Sequence, residues 1–304
     1  MKVVFMGTPS FAIPTLEALI NSKHSVEAIV TVPDKLGGRS QTQLLESDIK
    51  KYARNTDIPI LQPHKLNGSK FLNALRRIKA DVFVVVAFRK LPKLVWNLPS
   101  KGTINIHGSL LPKYRGAAPI NWAIINGDTI SGLTTFYIND KIDQGEILLQ
   151  SSCPIDKEDT AGDLHDKLME LSGPIILETL EGIENGSLKP QKQDESLSSH
   201  APKVFFDQNE LDCSKSTQSL NNFIRGMSPY PAAWINYEGK TLKIFKAKPI
   251  IEAHSKQIGS IELDYKSIFK LYTADGYLQL EIVQWAGKRK MNIKDFLNGL
   301  KKPK

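Results

Sequence analysis

Cysteines and long apolar runs are both scarce in this sequence. Of its 304 residues only two are cysteine, Cys153 and Cys213, and they lie far apart. Two isolated cysteines exclude a disulfide framework, and because no export signal is visible we expect both thiols to be reduced. No segment approaches the roughly 20 consecutive apolar residues of a membrane span, and the apolar run after Met1 is too short for a secretory signal. We therefore expect no contact with a membrane.

Two common ligand signatures are also missing. No group of cysteine and histidine residues has the spacing of metal ligands, so we predict that the protein binds no metal. The first turn, Gly7-Thr8-Pro9-Ser10, lacks the second and third glycines of the dinucleotide-binding fingerprint. We therefore predict no NAD site, although residues 2–32 have the β-turn-α-β layout of a Rossmann-like sheet.

Basic residues are concentrated in the second part of the chain. The net charge is +8, and residues 189–304 hold 19 Lys and Arg against 12 Asp and Glu. A basic segment attached to a nearly neutral one indicates a polyanionic partner. Composition leaves a second interpretation open, a lysine-rich surface that is simply solvated.

The pattern of strands and helices predicts an α/β fold followed by a barrel. Residues 81–87 are almost purely apolar, as in a strand buried on both faces, so they mark the centre of the sheet. We predict that residues 1–187 form a domain with a Rossmann-like, mostly parallel sheet and helices on both faces. The polar residues 188–205 are predicted to be a linker, and residues 206–304 a small OB-type β-barrel.

The C-terminal residues have the spacing of short strands. Strands are expected at 233–237, 242–247, 259–263, 268–273 and 277–283, with helices at 216–227 and 291–300. Small barrels of this type often bind nucleic acid through a basic groove. Lysines that alternate with apolar positions predict one basic strand face; they are Lys240, Lys243, Lys246 and Lys248. The same alternation also fits a solvated strand face.

Two polar side chains interrupt an apolar strand pattern at its end. Asn105 and His107 are two residues apart, and in an extended chain both point to the same face. An amide and an imidazole side by side can serve one reacting carbonyl, the first by holding its oxygen and the second by moving a proton. A strand end with two satisfied polar groups is the alternative. About one βαβ length further on, Asp143 can return to the same end of the sheet and fix the tautomer of the imidazole.

These stretches, in this order, resemble the folate-dependent formyltransferases. The run Asn105-Ile-His107-Gly-Ser-Leu-Leu-Pro112 is the most specific, and Tyr114–Ile120 and Asp143-Gln-Gly145 follow it as in that family. Residues 7–12 and the later Pro229-Tyr-Pro-Ala-Ala-Trp234 fit the same family, so the resemblance spans nearly the whole chain.

The resemblance implies formyl transfer from 10-formyltetrahydrofolate, as co-substrate, to the α-amino group of methionine on initiator tRNA. It implies that Asn105 positions the formyl oxygen, that His107 donates to the oxyanion, and that Asp143 orients His107 and carries the proton toward N10 of the folate. No metal is needed because the folate nitrogen already activates the formyl group. We expect a monomer in a bacterial cytoplasm.

The resemblance also implies two sets of binding residues. The folate set comprises Phe88, Leu91, Ser109, Leu110, Leu111, Pro112 and Asp140. The tRNA set comprises Arg39, in a long polar loop, and Lys243, Lys246 and Lys248 of the basic face. The chain departs from the family pattern at Ser40-Gln41-Thr42, where lysines are common, at Arg89, where some relatives have glycine, and at Gln144, which is often threonine.

Three other functions stay open from the sequence. A formyltransferase with the same chemistry could act on an amino sugar or a purine precursor. A folate hydrolase would use the same three residues on water. A non-catalytic RNA-binding protein is the third, although it would not need Asn105, His107 and Asp143 together.

Overall fold

The computed structural model describes residues 1–37 and 42–300. The predicted tRNA residue Arg39 lies outside the described residues. The chain divides into two compact units. The first comprises Met1–Gly116, Gly132–Cys153 and His165–His200, and the second comprises Ala117–Ser131, Pro154–Leu164 and the chain from Ala201 onward.

The regular elements in the described residues are these. The strands are β1 (Lys2–Gly7), β2 (Ser25–Val30), β3 (Lys35–Gly37), β4 (Gln43–Leu45), β5 (Ile60–Leu61), β6 (Val82–Val86), β7 (Thr103–His107), β8 (Arg115–Gly116), β9 (Ile130–Tyr137), β10 (Ile147–Pro154), β11 (His200–Ala201), β12 (Ala233–Tyr237), β13 (Lys240–Ile251), β14 (Ile261–Leu263), β15 (Phe269–Tyr272), β16 (Gly276–Trp285) and β17 (Met291–Asn292). The α-helices are α1 (Ile13–Ile20), α2 (Asp48–Ala53), α3 (Ser69–Ile78), α4 (Lys93–Trp96), α5 (Pro119–Ile125), α6 (Ala161–Asn185), α7 (Thr217–Met227) and α8 (Ile293–Asn298).

The first unit is built on a mostly parallel sheet, as predicted. Its strands run in the order β10-β9-β7-β6-β1-β2-β5. Strands β5, β2, β1, β6 and β7 are parallel to one another, whereas β9 is antiparallel to β7. All five residues of β6 are buried, which explains their apolar character.

Helices cover both faces of this sheet. On one face, α3 packs its buried residues Phe71 and Leu75 against Val4 and Phe83 of the sheet. Because side chains alternate along a strand, Phe5 points to the opposite face, where it is also fully buried. The long helix α6 is linked to β9 by the hydroxyls of Thr179 and Thr135, which lie 2.8 Å apart.

The direction of β9 corrects one expectation. The spacing between His107 and Asp143 suggests a βαβ unit, in which the acid would follow a parallel strand. Instead β9 runs antiparallel, so the loop after it begins beside the first residue of β7, where Ile138 N donates to Thr103 O at 2.8 Å. The loop must therefore fold back along the sheet to bring Asp143 to His107.

The second unit contains an antiparallel sheet with the strand order β12-β13-β16-β15-β14, and β17 pairs with β16. All five predicted strands are present. The predicted fold class, an α/β sheet followed by a small OB-type β-barrel, is confirmed, and the sheet forms a half-barrel. Its core is formed by alternating strand residues such as Ile244 and Leu280, with Ile224 of α7 and Phe296 of α8. Strands β13 and β16 are longer than predicted, and the β3–β4 hairpin was missed.

Helix α5 is part of the second unit although it lies early in the sequence. The Asn121 amide donates to Gly226 O of α7 at 2.7 Å. A Cβ at Gly226 would lie 2.4 Å from Ile125 Cγ1, so the two helices require glycine at this contact. The predicted domain boundaries at 188 and 206 stay a prediction. Within the part of the chain that the structure describes, no helix is long and apolar enough to cross a bilayer.

Candidate active site

Strand β7 presents the amide and the imidazole that the sequence indicated. Asn105 is half-buried beside Val85 of β6 and Phe136 of β9. Its side chain forms no hydrogen bond with any residue in the ranges 1–37 and 42–300. An amide that is held on a strand, partly exposed and unpaired, keeps both N–H groups available to an incoming oxygen.

The Tyr114 carbonyl orients the His107 ring. Only 6% of His107 is exposed, and its Nε2 lies 2.8 Å from Tyr114 O. A carbonyl oxygen only accepts, so Nε2 carries a proton and Nδ1 is the nitrogen left for chemistry. Tyr114 has φ +61°, an unusual conformation for a bulky residue, and this turn aims its carbonyl at the ring.

The Asp143 carboxylate meets the other side of the same ring. Its Oδ2 lies 3.7 Å from His107 Nδ1 and accepts a hydrogen bond from Gly116 N at 2.9 Å. A separation of 3.7 Å is too long for a hydrogen bond. In this structure the tautomer of His107 is fixed by Tyr114 O, and the orienting role of Asp143 stays a prediction. Asp143 is placed instead as a counter-charge or proton acceptor next to Nδ1.

One short segment holds both catalytic candidates. Tyr114 contributes the carbonyl that binds His107, and Gly116, two residues later, contributes the N–H that binds Asp143. The sequence motif Tyr114-Arg115-Gly116 thus acts through its backbone at this site. The structure brings Asn105, His107 and Asp143 into one unit and the last two into direct proximity.

Gly145 is the residue that lets the Asp143 loop close. A Cβ there would lie 1.5 Å from Tyr137 O, so even alanine must move the loop away from the end of β9. For Gly145→Ala we expect kcat to fall on the order of 10²-fold, because a shift of about 1 Å at a reacting group costs that much. Steady-state kinetics and Tm would be measured beside Gly299→Ala, whose added Cβ meets its nearest neighbour at 3.4 Å. An unchanged kcat would contradict this role of the glycine.

The predicted folate residues fall into buried, partly exposed and fully exposed groups. Ser109 and Leu111 are buried, and their hydrogen bonds close the turn: Ser109 Oγ donates to Lys113 O at 2.6 Å and Leu111 N to Thr134 Oγ1 at 3.0 Å. Leu91 is also buried. These side chains can shape a pocket, whereas the partly exposed ones can line it; the latter are Phe88, Leu110 and Pro112. Asp140 is exposed and lies 3.8 Å from Lys93 Nζ. The folate role of the set stays a prediction.

Arg89 is anchored rather than free. Its Nη2 donates to Pro63 O at 2.7 Å and its Nη1 to His64 O at 3.3 Å, while the guanidinium lies 5.3 Å from the centre of the Phe88 ring. Burial lowers the pKa of Arg89. The arginine therefore supports the loop after β6 by tying it to the loop after β5.

A polar cavity of about 440 Å³ borders the Asp143 loop. Its lining comprises Tyr137, Ile138, Asn139, Gln144, Gly145, Glu146, Lys192, Gln193 and Glu195. Burial raises the pKa of Tyr137 at this cavity. Lys192, Gln193 and Glu195 were missed because the composition of residues 188–205 predicts a linker. No local pattern distinguishes a linker from a segment that packs on a loop. In the described residues no group of His, Cys, Asp and Glu is arranged to hold a metal.

The predicted basic face depends on a β-bulge. In β13 the register against β16 shifts around Phe245, so Leu242, Ile244 and Ala247 are all buried. This shift puts three lysines on the outer side, Lys243, Lys246 and Lys248. Lys246 Nζ lies 3.6 Å from carboxylate oxygens of both Glu158 and Glu281, and Lys243 Nζ lies 4.5 Å from the centre of the Phe206 ring.

The fold and the site together define a class of protein: an amide, an imidazole and a carboxylate lie on a mostly parallel sheet, and an antiparallel half-barrel sheet follows in the chain. The sequence model described as Formyl transferase matches residues 1–180, and the one described as Formyl transferase, C-terminal domain, matches residues 203–301. The chain belongs to the formyl transferase family.

Similar proteins agree with this family. A protein named methionyl-tRNA formyltransferase from Parabacteroides distasonis is 44% identical over 311 residues, covering 99% of this chain and 96% of the relative. One of the same name from Azobacteroides pseudotrichonymphae is 45% identical over 309 residues, covering 98% and 95%. The crystal structure of WlaRD, a sugar 3N-formyl transferase with dTDP and 5-N-formyl-THF, has a TM-score of 0.68 at 22% identity, covering 95% of this chain and 99% of that one. At that identity the likeness concerns the fold alone.

Proposed function

We propose that this enzyme transfers the formyl group of 10-formyltetrahydrofolate to the α-amino group of methionyl-tRNA, giving N-formylmethionyl-tRNA for translation initiation. The observation that carries the proposal is the approach of Asp143 Oδ2 to His107 Nδ1, which lie 3.7 Å apart. Strand β7, which holds His107, also presents Asn105, whose amide has no hydrogen-bond partner among the described residues. Relatives named for this activity match almost the full length of the chain.

The reaction we propose is a direct attack of nitrogen on carbon. The neutral α-amino group attacks the formyl carbon, a C–N bond forms, and the carbonyl π electrons move to oxygen. The Asn105 amide donates to that oxyanion. The attacking nitrogen then loses one proton to Asp143, directly or through water. When the bond from carbon to N10 breaks, its electron pair stays on N10, which takes up a proton and leaves as tetrahydrofolate.

The tautomer of His107 sets its part in this scheme. Since Nε2–H is engaged by Tyr114 O, the ring can donate to the oxyanion only from Nδ1, and only as the imidazolium. Asp143 supplies the negative charge that stabilises this cation at 3.7 Å. In the neutral ring, Nδ1 instead accepts a proton. His107 and Asp143 therefore form one proton-transfer unit in our proposal.

The activity is tested with 10-formyltetrahydrofolate that carries a labelled formyl group. We expect label on methionyl-tRNA, and none on the same tRNA without its amino acid. Label transferred only to a nucleotide-linked amino sugar would favour the sugar formyltransferase alternative. Labelled formate released without any acceptor would indicate a hydrolase, and tight tRNA binding without turnover would indicate a non-catalytic RNA-binding protein.

We propose that the outer lysines of β13 contact tRNA phosphates and that Arg39 also binds the tRNA. Removing a lysine that binds a phosphate weakens binding and lowers the slope of log K against log salt by about 1. We expect this for Lys248→Ala, since this lysine forms no ion pair with a described residue. Lys246→Ala is the matched variant on the same strand and should have the smaller effect, because two carboxylates already lie 3.6 Å from its ammonium group. Equal effects of the two changes, measured by filter binding from low to high salt, would contradict the proposal.

The remaining expectations about partners are part of the same proposal. The protein acts as a monomer in a bacterial cytoplasm, and its residues from 206 onward form the tRNA-binding domain. Support comes from the bacterial origin of the named relatives and from the excess of Lys and Arg in residues 189–304. Sedimentation of the free enzyme, and of the enzyme with methionyl-tRNA, tests the oligomeric state.

A further inference from the structure

A segment predicted as linker packs on the Asp143 loop and is hydrogen-bonded near both ends. We call residues 192–199 the strap. Just before it, Gln191 and Ile147 exchange backbone hydrogen bonds of 2.8 Å in both directions. At its end, Ser199 O accepts from Arg115 N at 2.8 Å, and Ser199 Oγ accepts from Tyr114 N at 2.9 Å. The strap thus spans from β10 to the segment that orients His107.

The Gln193 side chain forms hydrogen bonds with the backbone of the Asp143 loop. Its Nε2 donates to Asp143 O at 2.9 Å and to Gly145 O at 2.8 Å. Both N–H groups of one amide therefore bind carbonyls on either side of Gln144. Asp143 is in the left-handed region, with φ +54°, so its local conformation needs such external support.

Arg115 determines which way the Gln193 amide faces. The guanidinium donates to Gln193 Oε1 from Nε at 3.0 Å and from Nη2 at 2.7 Å. An arginine has no acceptor, so the amide must turn its oxygen to Arg115 and its N–H groups to the loop. The rest of the guanidinium forms two hydrogen bonds with the Glu195 carboxylate, of 2.8 and 3.0 Å. These bonds lower the pKa of Glu195, which keeps it ionised.

The position of Arg115 makes this network part of the site. Only 4% of the residue is exposed, and it lies between Tyr114, whose carbonyl orients His107, and Gly116, whose N–H binds Asp143. One buried cation thus connects the backbone contacts of both catalytic candidates with the strap. If Arg115 only stabilised the fold, it would not need to orient the Gln193 amide toward the loop that carries Asp143.

We propose that Arg115 and Gln193 are positioning residues, which hold the Asp143 carboxylate in register with His107 through the strap. The inference rests on the proposed function, because it assigns Asp143 to proton transfer. The strap is then a component of the active site, and a change in its conformation alters turnover rather than substrate binding.

The test uses Gln193→Glu in the full-length enzyme. Glutamate has nearly the same shape and still accepts from Arg115, but it has no N–H group for the carbonyls of Asp143 and Gly145. We expect kcat to fall about 10- to 100-fold, with KM for both substrates changed less than about twofold.

Gln191→Glu is the matched control, since it introduces the same charge one residue before the strap. The Gln191 side chain is exposed and forms no hydrogen bond with a described residue. We expect the Gln191→Glu variant to retain the kcat of the wild-type enzyme.

A double-mutant cycle separates positioning from stability. If Gln193 acts through the Asp143 carboxylate, Gln193→Glu changes kcat less than about twofold in an Asp143→Ala background. An equal fall in both backgrounds, or a Gln193→Glu kcat equal to that of Gln191→Glu, would overturn the inference. Arg115→Lys, which keeps the charge but loses the two-pronged contact, should lower kcat in the same direction. A wild-type enzyme that forms no labelled formylmethionyl-tRNA would instead refute the proposed function itself.

Discussion

Asp143→Asn is expected to lower kcat for formyl transfer by about 10³-fold, within the range that a positioned proton-transfer group contributes. Asparagine has the same shape, and its carbonyl oxygen still accepts from Gly116 N, so the loop should remain closed. What is lost is the negative charge beside His107 Nδ1 and a group that takes the proton from the attacking amine. The change should therefore affect kcat far more than KM.

Steady-state rates with saturating methionyl-tRNA and 10-formyltetrahydrofolate measure this effect, and single-turnover reactions separate chemistry from product release. Asp57→Asn, at an exposed acid of the first unit, is the control for loss of one negative charge. A loss of kcat of less than about tenfold would be smaller than the usual contribution of such a group. It would remove Asp143 from the proton-transfer step, and the proposal about the strap would be refuted with it.

Asn105→Ala is expected to lower kcat by about 10² to 10³-fold, the usual effect of removing one oxyanion donor. Stability should hardly change, because the amide forms no hydrogen bond with any described residue and the side chain is only half-buried. Asn105→Asp should be at least as damaging, since it keeps the shape, removes the N–H donor and adds a negative charge near the oxyanion.

The control for this second prediction is Asn73→Ala, a change at an exposed asparagine of α3 whose side chain accepts a hydrogen bond from Arg76. Comparing the Tm values of the variants tests whether any loss of rate comes from unfolding. Near-normal turnover of Asn105→Ala would exclude the amide as oxyanion donor and leave only His107 for that role.

Element types were predictable because their signals are local. The burial of β6 follows from its unbroken apolar run, and the period of two along β7 puts Asn105 and His107 on one face. Helix ends and strand lengths were less predictable. Strand β13 extends from Lys240 to Ile251 because it pairs along the whole of β16, and that pairing is not visible in either segment alone.

The catalytic arrangement was predictable in its members but not in its geometry. The motif run and the family resemblance named the amide, the imidazole and the acid. The antiparallel direction of β9, which makes the Asp143 loop fold back along the sheet to reach His107, depends on tertiary pairing. The carbonyl that orients His107 belongs to Tyr114, whose left-handed conformation no propensity would predict.

The α/β class, the two polar residues of β7 and the excess of basic charge in the second part of the chain all depend on composition or on a period of a few residues, so they could be predicted from local sequence. Three features were not predictable in this way: the hydrogen bond of Gln193 to Asp143 O, the orientation of Gln193 by Arg115, and the bulge that puts Lys243 on the same side as Lys246 and Lys248. These contacts join residues that are up to about 80 positions apart, or depend on the register of a neighbouring strand. Such contacts form only when the folded chain brings the partners together, and no local sequence pattern encodes them.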